Sequence, residues 1–168
     1  MDIVLVVLRL LHIIFAFLWF GLGITATLYI LPAAVASGAS GMRFAKNILT
    51  RTPFGRMLPI VSGVTTLAGL ILYAVGSPSH FSQLGNIVLG IGAVAGLAAT
   101  IHGGAMTGRA TREFAMALAT TVPEGDAAIP ANALSNLNAL AAKLQEHQRI
   151  STILMVIALL GMGLARYL

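Results

Sequence analysis

Long runs of apolar residues, broken by short polar stretches, set the pattern of this chain. The first run spans about Ile3 to Leu31 and ends where Pro32 offers a helix stop. The second spans about Phe54 to Val75, with Pro59 near its first turns, where a missing N–H does least harm. The third runs from about Phe81 to Gly108 and the fourth from about Arg149 to Tyr167. Each is long enough to cross a hydrocarbon core, which takes about 20 residues of helix. Between them, residues 33–56 predict a loop with a short amphipathic helix around Gly41–Leu49, and Gly76 to His80 reads as a tight turn. After Gly108 the third helix is expected to continue as Arg109 to Ala119. A loop follows from Thr121 to Pro130, and Asn132 or Ser135 opens a last helix running to Leu168.

The third run carries a finer period. Gly85, Val88, Gly92, Ala95, Ala99 and His102 step by 3, 4, 3, 4 and 3, which is one face of a helix. Gly92 and Gly96 add a small-xxx-small pair that permits close helix approach. This seam predicts tight packing, and it also offers room for a flat macrocycle beneath His102.

Composition turns the pattern into a class. The chain of 168 residues is 58% hydrophobic and 9% charged, whereas soluble domains carry about 25% charged residues. The expectation is an all-α, four-transmembrane-helix bundle with cytoplasmic helical extensions, a single domain over residues 1–168. Its lipid partner is the bilayer. The first run is too long for a cleavable signal, whose apolar part is about 7–15 residues. There is no cysteine, which excludes disulfides, thiolate sites and covalent c-type haem.

The net charge of +5 does not indicate nucleic acid, because eight of the ten Lys and Arg residues fall in or at the edge of two loops. These are Arg43, Lys46, Arg51, Arg56, Arg109, Arg112, Lys143 and Arg149, against only Arg9 and Arg166 on the side of the termini. The positive-inside rule then places loops 33–56 and 109–148 in the cytoplasm and both termini outside, in a bacterial inner membrane. Of the five acids, Asp2, Glu113, Glu124, Asp126 and Glu146, none lies inside an expected span, which excludes an intramembrane carboxylate relay. No Walker, GxSxG or HExxH motif occurs.

Four histidines remain as candidate chemistry. His12 opens the first span and His80 precedes the third, both on the outer side; His102 nears the end of the third and His147 precedes the fourth, both on the inner side. Two levels of imidazole in an apolar bundle suggest one or two b-type haems, held by axial nitrogens in apolar slots. His12 and His102 are the strongest ligands, because an unpaired ring is costly in lipid. His147 and His80 are possible partners with ready alternative readings as surface residues. By helical rise, His102 and His147 lie at different distances from the middles of their spans, so pairing them needs a shifted helix. Ala16 gives His12 space, with Phe15, Trp19 and Phe20 as walls. Gly92 and Ala99 would line the slot at His102, and Arg9, Arg109 and Arg112 are candidate propionate contacts. Met162, Met57 and Met106 are alternative axial ligands, although methionines more often fill packing gaps.

The stretch Leu11-His12-Ile-Ile-Phe-Ala-Phe-Leu-Trp19-Phe-Gly21, followed by Leu28-Tyr29-Ile-Leu-Pro32, resembles the first helix of HemJ-type protoporphyrinogen oxidases and of the related CopD-like copper-resistance membrane proteins. Phe54-Gly-Arg56 leading to Thr66-Leu-Ala-Gly69-Leu is similar to the second helix of the CopD-like group. His102 followed by Arg109 and Arg112 is similar to the HemJ type. The resemblance implies a helical bundle binding b-type haem through His12. The HemJ type carries a Lys in its third helix and an Asn-Glu-Pro-like motif before the fourth. Here the third span has no Lys, and the approach to the fourth reads Lys143-Leu-Gln-Glu-His147. The resemblance therefore implies haem binding, and these departures speak against protoporphyrinogen oxidation. Taken together, the residues are read as a haem b protein that serves as an electron-transfer or redox component, with a redox partner protein. Two other classes compete. One is a non-catalytic helical subunit or a homo-oligomer joined through the Gly92/Gly96 face; the other is CopD-like copper handling.

Overall fold

A computed structural model describes residues 2–75, 83–125 and 127–168. Those residues form helices and connecting turns, with no strand among them. The helices are α1 (Ile3–Thr25), α2 (Leu31–Ala36), α3 (Gly38–Arg51), α4 (Phe54–Val75), α5 (Leu84–His102), α6 (Gly108–Thr121) and α7 (Ala131–Leu164). Wider π-helical turns join α1 to α2 (Ala26–Ile30) and α5 to α6 (Gly103–Thr107). Four continuous rods result, Ile3–Ala36, Phe54–Val75, Leu84–Thr121 and Ala131–Tyr167, each apolar and long enough to cross a membrane. The protein is a four-helix transmembrane bundle.

Local chemistry accounts for most boundaries. Asp2 caps α1 by accepting the Val4 amide at 3.0 Å. Gly38, with φ +58, turns the chain from α2 into α3 in a conformation that a side chain would oppose. Thr52 is extended ahead of Pro53, which ends α3 before the proline ring would clash. Pro32 does not stop the first span, contrary to the sequence expectation. The π-turn before it widens the winding where the ring would meet the preceding carbonyl, and the rod continues to Ala36.

Within the bundle α1 packs chiefly on α4 and α5 chiefly on α7, with sparser contact between the pairs. The α5–α7 contact is closest. A Cβ on Gly92 would lie 2.9 Å from the Met162 amide nitrogen, and one on Gly161 would lie 2.8 Å from Gly92 Cα. The small seam of α5 is thus filled by α7 and the turn that follows it: Gly85 lies against the Ala165 carbonyl, Gly92 against Gly161, and Gly96 against Ala158 and Met162. Along Gly85 to Gly96 the seam is therefore the packing face that its spacing predicts, and Gly92 and Gly96 lie against α7 of the same chain.

Three of the rods outrun the bilayer. At about 1.5 Å per residue, rods of 34 to 38 residues exceed a hydrocarbon core of about 30 Å. Their surplus gathers at one end as a helical cap built from α2, α3, α6 and the first half of α7. Phe114, Met42, Leu118 and Leu137 are its fully buried centre. The cap is laced by ion pairs. Lys46 Nζ lies 2.8 Å and Arg51 Nη2 2.5 Å from the two oxygens of Glu124, while Lys143 and Arg109 share Glu113. Arg43 donates to the Ala127 carbonyl and Lys46 to that of Val122, so α3 ties down both of these residues.

Hydrogen bonds from Lys46 and Arg51 hold the Glu124 carboxyl below its ordinary value. A depressed carboxylate contributes stability above its unfolded pKa and loses it as pH falls through the folded one. The difference in Tm between wild type and Glu124→Gln is therefore expected to favour wild type at neutral pH and to vanish in acid. Because Glu124 is exposed, the difference will be small; thermal unfolding of both proteins across pH measures it.

Candidate functional site

His12 faces α4. Residues Phe15, Ala16, Trp19 and Phe20 on the same side of α1 are half-buried, while Phe17 and Leu18 between them are exposed. Its Nδ1 lies 2.8 Å from the Thr65 carbonyl oxygen. A carbonyl can only accept, so in the neutral ring Nδ1 carries the proton and Nε2 keeps the lone pair. That carbonyl is also the α-helical acceptor for the amide of Gly69, one turn on. The ring reaches its second lone pair because Gly69 has no side chain: a Cβ there would sit 2.7 Å from His12 Cε1 and 2.9 Å from Nδ1. Thr65 is buried, with its hydroxyl donated to the Val61 carbonyl at 2.7 Å. An imidazole whose Nδ1–H is fixed by a backbone carbonyl has the orientation and tautomer of a metal-ligating histidine.

The second histidine group lies where α5 gives way to its π-turn. His102 and His147 have ring centroids 5.6 Å apart and planes tilted by 57°. His102 Nδ1 is 3.0 Å from Ser151 Oγ, which is 3.1 Å from Thr107 Oγ1. His147 Nδ1 is buried and has no hydrogen-bond partner. The two rings that helical rise set at different depths are therefore neighbours. His102 is level with Ser151, one helical turn after His147, so the two backbones stand about a turn apart and their side chains close the difference.

The two groups are also nearer than opposite membrane faces. Thr66 Oγ1 lies 2.6 Å from Thr100 Oγ1, joining α4 to α5 two residues before His102. One turn of α4 thus touches His12 on one side and α5 on the other, across a single helix diameter of about 10–12 Å. Polar side chains are thus strung across the bundle from His12 to Ser151, and Thr27, in the π-turn after α1, lies 3.4 Å from Thr152.

The remaining candidates scatter. His80 lies outside the described residues. Ala99 is fully buried and Gly92 is buried against α7. Arg9 is exposed, three residues before His12. Arg109 is held by Glu113 at 3.1 Å. Arg112 instead borders a cleft with Arg51 and Arg56. Met162 packs over Gly96, Met57 is half-buried and Met106 is exposed. Among the described residues no three of His, Cys, Asp and Glu gather as a metal site.

Sequence reasoning missed Thr65, Gly69, Ser151 and Thr107. Two of them had a signal. Gly69 stands four residues after Thr65, and Ser151 four residues after His147, so each pair shares a helix face. Comparison with protein-family models, with curated proteins and with solved structures finds no match for this chain.

Proposed function

We propose that this multi-pass membrane protein holds b-type haem and serves as an electron-transfer or redox component of a bacterial cytoplasmic membrane. One observation carries the reading: His12, in an apolar helix, has its ring seated in the space left by the absent side chain of Gly69, with Nδ1–H directed at the Thr65 carbonyl and Nε2 left as a ligand nitrogen. His147, with an orphaned buried Nδ1 beside His102, supports a second ligand position. Bound haem would supply one-electron chemistry. In this reading Thr65 fixes the His12 tautomer, Gly69 sets the height of the ring, and Phe15 and Trp19 keep water from it. Ser151 orients His102. The cap, with its cationic side chains, faces the cytoplasm and both termini face out. The HemJ-type and CopD-like resemblance points the same way.

The detergent-purified protein, expressed with full haem supply, is expected to show Soret and α bands in a reduced-minus-oxidised spectrum. His12→Ala should lose at least half of the bound haem, and Gly69→Ala should shift the bands of what remains. No bands in wild type, or unchanged bands in His12→Ala and His102→Ala alike, would refute the reading. Because the chain has no cysteine, single thiols placed at Ser37 and Gly163 report orientation; labelling of Ser37→Cys from outside intact cells would reverse it.

A second reading has one observation in its favour. No residue of α1 is buried, whereas the other three rods bury 17 to 22% of their apolar windows. A helix so little covered by its own chain suits a subunit that packs within a larger membrane complex. Absence of haem together with co-purification of a partner at fixed stoichiometry would favour it.

A further inference from the structure

A cleft of about 540 Å³ opens at the cationic end of the bundle, between the end of α3, the first turn of α4 and α6. Three arginines, Arg51, Arg56 and Arg112, lie on it, and no acid does. The threonines beside them are not the donors. Thr50, Thr52 and Thr111 spend their hydroxyl protons on the carbonyls of Lys46, Ile48 and Thr107, at 2.6 to 2.8 Å. Arg51 is anchored by Glu124 at 2.5 Å. Glu113, the neighbour of Arg112 in sequence, is turned to Arg109 and Lys143. Among the described residues Arg56 and Arg112 therefore have no carboxylate partner. The positive end of α4, a 22-residue helix, opens at the same cleft and adds to its field. The cleft sits where the apolar rods meet the cap: Ile60 on α4 and Met116 on α6 are exposed apolar neighbours.

We propose that this cleft binds a phosphate group, held by the forked guanidiniums of Arg56 and Arg112 with Arg51 at the rim. A guanidinium matches two phosphate oxygens at once, which a lysine cannot do. The position suits the phosphate of an anionic lipid headgroup, and basic pockets between transmembrane helices bind such headgroups. A soluble phosphate compound would present the same chemistry. The inference is independent of haem: the cleft lies in the cap and uses neither His12 nor His102.

Thermal unfolding in a neutral detergent tests it, with inorganic phosphate and short-chain phosphatidylglycerol titrated separately, and short-chain phosphatidylcholine as the neutral control. At least one of the two anionic ligands is expected to raise Tm saturably. A rise with phosphatidylglycerol alone assigns a lipid headgroup; a rise with phosphate as well assigns a soluble phosphate ligand. Arg56→Gln and Arg112→Gln should each weaken the apparent affinity about tenfold, as loss of a charge-assisted bond does. Arg56→Lys keeps the charge and should still weaken it, while Arg149→Gln, at the same end but off the cleft, should leave it unchanged. Both glutamine variants alter exposed side chains, and their unliganded Tm shows whether they fold. If either does not, Arg56→Lys against Arg149→Gln decides. No rise with either anionic ligand, an equal rise with phosphatidylcholine, or equal weakening by Arg149→Gln would overturn the proposal.

Discussion

Gly41→Ala is expected to be the most destabilising methyl addition among the described glycines. Gly41, on α3, lies directly against the Ala34 backbone of α2, and a Cβ there would overlap the Ala34 carbonyl oxygen and carbon. A flexible side chain could swing aside; a helical carbonyl cannot. The two helices would have to separate, and they carry Leu31, Ala34, Met42 and Ala45 of the cap core. Forced overpacking costs about 1–3 kcal/mol, and more where backbone must move. Gly63→Ala is the matched control, because a Cβ at Gly63 meets nothing within 4 Å. Limited proteolysis and Tm should show a loosened cap in Gly41→Ala and wild-type behaviour in Gly63→Ala. A Gly41→Ala protein as stable as wild type would show that α2 and α3 do not pass each other this closely.

The second large effect is expected at Gly161→Val. Here the obstacle is again backbone, Gly92 Cα at 2.8 Å and the Val88 carbonyl at 3.0 Å, so α5 and α7 meet main chain to main chain. Without a hydrophobic force between helices in lipid, such contact is what holds them together. Valine should cost several times as much as Gly96→Ala, whose Cβ would meet only Ala158 Cβ and Met162 Cε at 3.6 Å. Unfolding in detergent against added denaturant ranks the three proteins. Because His102 and His147 sit on this same helix pair, their juxtaposition should be lost with it. Equal stability of Gly96→Ala and Gly161→Val would contradict the crossing.

The four spans were legible because lipid demands long unbroken apolar helices, and the chain interrupts them only where proline, glycine and charge gather. The packed face of α5 was legible too, in the 3-4 spacing of its small residues. Pro32 misled, since a proline signals a stop only if the winding before it stays α-helical, and periodicity does not report a π-turn. The partners of His12 were hidden for a different reason. A hydrogen bond to a main-chain carbonyl leaves no mark at Thr65 itself; its only trace is the missing side chain at Gly69. The neighbourhood of His102 and His147 was obscured because helical rise counts main-chain depth alone, while two long side chains close an offset of about one turn. The cap could not be foreseen as a core, because its buried residues come from four separated segments and fill one space only after folding.

The π-turns have a consequence for how this chain can change. Each takes one residue more than α winding would, which rotates everything beyond it by about 100° about the rod. In α5 the buried residues Gly85, Gly92, Ala95 and Ala99 look onto α7. Past Gly103–Thr107, Phe114 and Leu118 are instead set among residues of α3 and α7 together. A one-residue insertion or deletion anywhere else in a membrane span re-aims every side chain downstream. Here a place for the surplus residue already exists. Length variation between related chains is therefore best tolerated at 26–30 and 103–107, where a rod can rewind locally and bundle and cap can drift apart in sequence without losing their own contacts.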